Sequence, residues 1–279
     1  MKKMIAFASA LALTAFAGAV SAEGVVVKSA TEDAQVETFK IGAGKKGGGY
    51  DGAARGIASQ LNSFGTPTEV VNMNGSDALS LALCSEQLDA APFQLDAEFL
   101  RGEQCAFDDR MLYGGEYVML FVPEDSKKNE LHDFGEGDTF FTGPEGSGAW
   151  VSLKAMQIID REHGQSNEWT KVQPAAFDDY RTFKRAIRKG ADAVLVTNKA
   201  NADIVIALVD AGYELADLKD RDLNDAVSSV TGKSVYKREK IKIKTPSGNK
   251  AKGYALKVES FFFTNAGDDE ANEKLDIAY

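Results

Sequence analysis

The sequence predicts an α/β fold built as two similar lobes, each a β-sheet flanked by helices. Three observations predict it. Short apolar runs alternate with stretches of helical periodicity, the pattern of linked βα units. That layout occurs twice along the chain. Its two copies also have nearly the same length, since Gly42 to Asp89 spans 47 residues and Gly143 to Asp192 spans 49.

The chain has 279 residues and opens with Lys2-Lys3, an apolar stretch from Met4 to Ala19, and the small residues Val20-Ser21-Ala22. This is the pattern of a secretory signal peptide, with cleavage expected before Glu23. The apolar stretch falls short of the ~20 residues that a membrane-spanning helix needs. Residues 1–22 are read as signal peptide and the polar, unpatterned 23–37 as a flexible tail, which places the mature protein in the periplasm.

The first copy opens with the short strand Phe39-Lys40-Ile41, which enters the glycine-rich loop Gly42-Ala43-Gly44-Lys45-Lys46-Gly47-Gly48-Gly49. Ala54, Ile57, Ala58, Leu61 and Phe64 then repeat at helical spacing. Thr68 to Met73 reads as a strand, and Asn74-Gly75-Ser76-Asp77 starts a helix with Asn74 or Ser76 as its cap. Leu88 to Phe93 reads as a further strand. The second copy opens with Thr139 to Thr142, turns through Gly143-Pro144-Glu145-Gly146-Ser147-Gly148, and continues into a helix with Ala149, Leu153, Met156 and Ile159 on one face. Glu168 to Val172 is strand-like, Tyr180 to Lys189 helical, and Ala191 to Val196 mirrors the segment beginning at Leu88.

Tyr113 to Val122, between the copies, is a long strand able to cross from one lobe to the other. A helix is expected over Ala200 to Ala211, and a solvated helix over the acidic Asp217 to Asp225. Lys240-Ile241-Lys242-Ile243-Lys244 alternates as a half-buried strand does, turns at Pro246-Ser247-Gly248-Asn249, and returns as Tyr254 to Phe263. The lysine row is the solvated face of an edge strand, and the hairpin is expected to rejoin the first lobe. The division that results is 38–113 plus 226–279 for lobe 1 and 114–225 for lobe 2.

A formal charge of −10 argues against nucleic acid and against anionic membrane as partners. Cys84 and Cys105 are the two cysteines, and in an oxidising compartment they read as a structural disulfide. No Cys-x-x-Cys is present. The two histidines, His132 and His163, supply neither a zinc site nor a serine triad for Ser147. Asp220, Asp222 and Asn224 begin like a calcium loop, but Asp225 and Thr231 stand where glycine and a bidentate glutamate belong. Neither a catalytic set, nor a metal, nor a cofactor is expected.

The two glycine loops carry the functional signal. Each precedes a helix, where backbone N–H groups lack intrahelical partners and carry partial positive charge, so each can hold a carboxylate or phosphate. Gly42-x-Gly44-x-x-Gly47 matches a dinucleotide fingerprint by letter. The glycines that follow it make poor helix interior, however, and no acidic residue ends the next strand. Tyr50 and Trp150 follow the loops as candidate pocket aromatics. Gln94 and Asp96 lie just past a strand, the edge where α/β proteins bind ligands.

Taken in order, these motifs resemble a known family. Ile41-Gly42-Ala43-Gly44 with Gly47-Gly48-Gly49-Tyr50, then Asn74-Gly75-Ser76, then Leu88-Asp89-Ala90 with Phe93-Gln94-Leu95-Asp96, then Gly143-Pro144-x-Gly146-Ser147-Gly148 are similar to the motifs of TAXI-type solute receptors, the extracytoplasmic components of TRAP transporters. The match runs from about Phe39 to Ala211. The resemblance implies a two-lobed periplasmic binding protein fold of the type II kind. It further implies a monomer that closes on a glutamate-like amino acid, 2-oxo acid or dicarboxylate and presents it to a membrane permease. Carried over by position, the ligand contacts are Gly48, Gly49, Tyr50, Ser76, Gln94, Ser147 and Gly148. Gly49, Asp51 and Ala149 depart from the residues usual in the family, and the pair Lys45-Lys46 is also unusual. The alternative use of the same fold is a periplasmic module that reports ligand occupancy to a membrane signalling protein.

Overall fold

The computed structural model describes residues 37–163, 167–176 and 192–278. The expected signal peptide, most of the N-terminal tail and the helix expected at Tyr180 to Lys189 lie outside the described residues.

In the first copy, β1 (Phe39–Ala43), α1 (Gly49–Ser63), β2 (Thr68–Asn72), α2 (Gly75–Cys84) and β3 (Ala91–Gln94) follow one another. β1 pairs in parallel with β2, and Ile41 bridges in parallel to Ala90 just before β3. A three-residue 3-10 turn at Leu95–Ala97 and the short α3 (Glu98–Arg101) then lead to β4 (Phe107–Pro123). The second copy runs through β5 (Thr139–Thr142), α4 (Gly148–Glu162), β6 (Gln173–Ala176) and β7 (Ala193–Asn198). β5 pairs in parallel with both β6 and β7. After it come α5 (Asp203–Asp210), β8 (Tyr213–Ala216), α6 (Arg221–Asp225), β9 (Tyr236–Lys244), β10 (Lys250–Asn265) and α7 (Asp269–Ile277).

The internal repeat extends to single hydrogen bonds. Asp89 accepts the amide of Lys40 at 2.6 Å, and Asp192 accepts that of Thr139 at 3.0 Å. In each copy the aspartate that precedes the third strand anchors the start of the first. The Asp-Ala repeat legible in the sequence therefore has one structural job performed twice.

Two long strands join the copies. β4 has 17 residues and β10 has 16, and they pair antiparallel from Phe107↔Asn265 to Val118↔Leu256. Beyond that, β4 pairs with β7 on one edge and β8 on the other, while β10 pairs with β3 through Ser260 to Phe263 and with β9 through Lys250 to Val258. The hairpin thus returns to β3 only by the far half of β10. Ile241 and Ile243 of β9 pack instead with Val205, Leu208 and Val209 of α5. A 16-residue strand is roughly 50 Å long at ~3.3 Å per residue, so it serves both ends of the sheet. Lys240, Lys242 and Lys244 are exposed on β9, as expected of an edge.

Apolar periodicity explains the helices. Ala54, Ile57, Ala58 and Leu61 are buried on α1, and Ala149, Leu153, Met156 and Ile159 on α4. Phe64, expected on the α1 face, is 63% exposed, because the helix has ended before it. Glu168 to Val172 is not the expected strand. Glu168–Lys171 forms a 3-10 turn around the buried Trp169, and the strand begins at Gln173. The acidic segment is less solvated than its composition suggests, since Asp220 is buried and accepts the Leu223 amide to start α6, whose Leu223 is also buried. Cys84 and Cys105 are joined by a disulfide that ties the end of α2 to the segment before β4. Among the described residues, no helix is long and apolar enough to cross a membrane.

Candidate ligand-binding site

Three helix N-termini open onto one cleft of about 640 Å³. Gly49 and Tyr50 begin α1, Gly75 and Ser76 begin α2, and Gly148 begins α4; all five line it. The rest of the lining comes from β4 (Tyr113, Gly114, Gly115, Glu116), from the end of β7 (Thr197, Asn198) with Lys199 after it, from Gln94 of β3 and from Ser260 of β10. Short glycine turns between strand and helix place each helix start at the carboxyl end of a strand, where open α/β sheets receive ligands.

The first loop is braced from within. Gly47 takes the left-handed φ of +81° that glycine tolerates, and its amide donates to Asp51 at 2.8 Å. The Gly48 amide donates to the Lys45 carbonyl at 2.9 Å. Asp51 also accepts from Asn72 at 2.8 Å and pairs with Arg55 at 2.9 Å. The Arg55 guanidinium, the Gly47 amide and Asn72 hold its carboxyl well below the usual carboxylate range. Asp51 is thus the brace of the loop. Lys45 and Lys46 are exposed and lie outside the cleft lining.

Of the seven sequence-expected contacts, Gly49, Tyr50, Ser76, Gln94 and Gly148 lie in the lining, whereas Gly48 and Ser147 do not. Both occupy the N-cap position, of α1 and α4 respectively, one residue behind the lining. The Ser147 hydroxyl is buried without a hydrogen-bond partner. Tyr50 donates to Ser260 at 3.0 Å and sets its ring edge-on to Tyr113, with centroids 5.2 Å apart. Burial foremost, and then the negative charge of Glu116, push the Tyr50 phenol far up, so it remains a neutral hydrogen-bonding group.

The part of the lining that comes from β4 and β10 is not legible in the sequence. Tyr113 reaches the cleft through a β-bulge, because Ser260 faces Gly114 while Phe261 faces Leu112, and Tyr113 is the extra residue. Glu116 stands three residues after Tyr113 and accepts from the Gln94 side-chain amide at 3.1 Å. Burial is the main force on the Glu116 carboxyl; Asp96 adds to it, Gln94 and Lys199 oppose it, and the result is a value of about 7. Asp96 is fully buried behind the cleft, accepting from Ser152 at 2.7 Å and Tyr236 at 2.9 Å. Burial lifts its carboxyl to about 6 against those two hydrogen bonds. A sequence reading of β4 as a crossing strand gives no register, and without register the cleft-facing side chain cannot be chosen.

Far from the cleft, Asp160, Asp220 and Asp222 bring oxygens within 4.8 Å of one another. Asp160 accepts from Asn167 and Asp220 from Leu223 and, at 3.1 Å, faces His132.

No family model matches the chain, and no curated protein matches it by sequence. Solved structures do match in fold. A Listeria monocytogenes protein described as an L-cystine ABC transporter is 16% identical with a TM-score of 0.50, over 87% of this chain and 89% of that one. A Xanthomonas citri protein bound to ATP is 9% identical with a TM-score of 0.54, over 86% and 82%. The chain has the two-lobed α/β fold of periplasmic binding proteins.

Proposed function

We propose that this chain is an exported solute receptor that captures a small organic anion, a glutamate-like amino acid, 2-oxo acid or dicarboxylate, in the cleft between its lobes. One observation carries the reading: the N-termini of α1, α2 and α4 converge on a single cleft. Each presents N–H groups with no intrahelical partner, and three such dipole ends favour negative charge at their meeting point. Gly49, Tyr50, Ser76, Gln94 and Gly148 are the contacts, with Gly48 and Ser147 shaping the turns behind two of them.

The lobes are 38–113 plus 226–279 and 114–225, joined through the paired strands β4 and β10, with β9 reaching over to pack on α5. The ligand binds the closed arrangement better than an open one, and that difference in affinity drives closure. The chain works as a monomer in the periplasm and passes its solute to a membrane permease. The motif order from Phe39 to Ala211 supports a permease of the TRAP type, and the solute-transport description of the Listeria structure supports a transport role more generally.

The test is thermal shift of the mature protein against amino acids, 2-oxo acids and dicarboxylates. A ligand at 100 times its dissociation constant adds about 2.7 kcal/mol and raises the Tm by several degrees. A flat response across the whole panel refutes the reading.

A further inference from the structure

We infer that the cleft selects solutes that carry an ammonium group beside their carboxylate, and that Glu116 and Gln94 are the residues that read it. The inference rests on the receptor reading above and narrows its ligand class to zwitterionic amino acids.

The cleft lining has two chemically different parts. One consists of the starts of α1, α2 and α4, which offer hydrogen-bond donors. The rest of the lining carries two acceptors side by side, Gln94 and Glu116. Gln94 is fully buried, and one of its two side-chain N–H groups donates to Glu116 at 3.1 Å. That bond fixes the amide orientation and leaves Oε1 as an acceptor that no protein group satisfies. It points at the start of α4, because a Cβ on Gly148 would stand 2.8 Å from it. A buried acceptor without a donor is costly unless a guest supplies one. The Glu116 carboxylate lies beside it in the same lining.

A 2-oxo acid or a dicarboxylate offers no N–H donor to either acceptor, and its charge is repelled by Glu116. An amino acid brings three ammonium donors together with the carboxylate that the helix starts favour. Of the described groups facing Glu116, Lys199 after β7 is the one cation, and it is exposed. The others are Tyr50 from α1, Tyr113 from its own strand, Gln94 from β3, Asp96 from the turn after it, and Ser260 from β10. Lys199 favours ionisation of Glu116 without overcoming its burial, so the carboxyl stays raised. Binding an ammonium group beside it draws it to the charged form and releases a proton near neutral pH.

The experiment uses matched pairs that differ only at the α-position: L-glutamate with 2-oxoglutarate, L-alanine with pyruvate, and L-leucine with 4-methyl-2-oxopentanoate, titrated calorimetrically into the mature protein. In at least one pair the amino acid is expected to bind tenfold tighter or more, with heat that varies with buffer ionisation enthalpy as proton release requires. Glu116→Gln is expected to weaken the amino acid at least tenfold and to leave the oxo acid unchanged or tighter. Equal or tighter binding of the oxo acids overturns the inference while leaving the anion receptor standing. Binding by neither member of any pair overturns the inference, and the receptor reading falls with it when the whole thermal-shift panel is flat as well. Should Glu116→Gln fail to fold, the wild-type proton count decides alone, and amino-acid binding without proton release overturns the assignment.

Discussion

Gly75 and Gly146 meet so closely that a Cβ on Gly75 would stand 2.2 Å from the Gly146 carbonyl oxygen. The same oxygen accepts the Asp77 amide at 3.3 Å, so the turn before α4 rests on the start of α2. The two turns belong to different copies of the repeat, and this contact fastens them beside the cleft. Gly75 also holds a φ of +81°, where a side chain is strained whatever the space. Gly75→Ala therefore combines a left-handed penalty of about 1–2 kcal/mol with a backbone clash that no rotamer relieves. A fall in Tm of about 4 °C or more is expected in a thermal melt, at roughly 2–4 °C per kcal/mol. A Tm unchanged from wild type contradicts the contact.

Stability should fall as pH rises through the range in which Asp96 ionises. Its folded value of about 6 lies above the ordinary aspartate value of ~3.9, so the folded state holds the proton more tightly. The contribution is fully present below about pH 4 and is lost as pH rises through about 6. A two-unit shift corresponds to roughly 3 kcal/mol at most. Asp96→Asn retains an oxygen for Ser152 and Tyr236 and removes the buried charge. In ligand-free protein, its Tm relative to wild type is expected to rise by about 5 °C between pH 4.5 and pH 7.5. A constant difference across that range counts against a raised Asp96.

Asp89 and Asp192 on one hand and Glu116 on the other show what the sequence discloses and what it withholds. Asp89 and Asp192 are visible as a repeat because local order places them, each just before a strand whose neighbour it anchors. The glycine turns are legible for the same reason, since a helix start is a local event. Glu116, Tyr113 and Ser260 are not. Their place in the cleft depends on the register of β4 against β10, and that register shifts at two bulges that no local pattern announces. Motif position makes Gly48 and Ser147 ligand contacts, yet their N-cap geometry sets them one residue behind the lining. The expected strand at Glu168 to Val172 shows the reverse error, because the aromatic and β-branched residues Trp169, Thr170 and Val172 suit a buried turn as well as a strand.

The disulfide is a stability device outside the cleft lining. Cys84 and Cys105 are 21 positions apart, so the bridge closes a loop whose entropy in the unfolded chain it restricts. The chain-entropy model gives about 3 kcal/mol for a loop of this size. Replacing both cysteines by serine, or reducing the protein, is expected to lower the Tm by about 6–10 °C. If the loss is smaller than about 2 °C, the reduced loop is already held by its own packing.

Gly148 faces the cleft and tests the site independently of the fold. A Cβ there would stand 2.8 Å from Gln94 Oε1 and 3.1 Å from its Nε2, so Gln94 has to move. Unlike the carbonyl opposite Gly75, this obstacle is the end of a flexible side chain, and Gly148 has no left-handed φ. Gly148→Ala is therefore expected to keep its Tm within about 2 °C of wild type. Displacing Gln94 breaks its hydrogen bond to Glu116 and turns the acceptor away from the start of α4. Ligand affinity, for whichever amino acid or organic acid gives the largest thermal shift in the wild type, should fall at least tenfold, equivalent to about 1.4 kcal/mol. Full affinity in a folded Gly148→Ala protein would place the ligand elsewhere than between Gln94 and the start of α4. A collapse in stability equal to that of Gly75→Ala would instead mean that Gln94 is locked in the core rather than poised at the cleft.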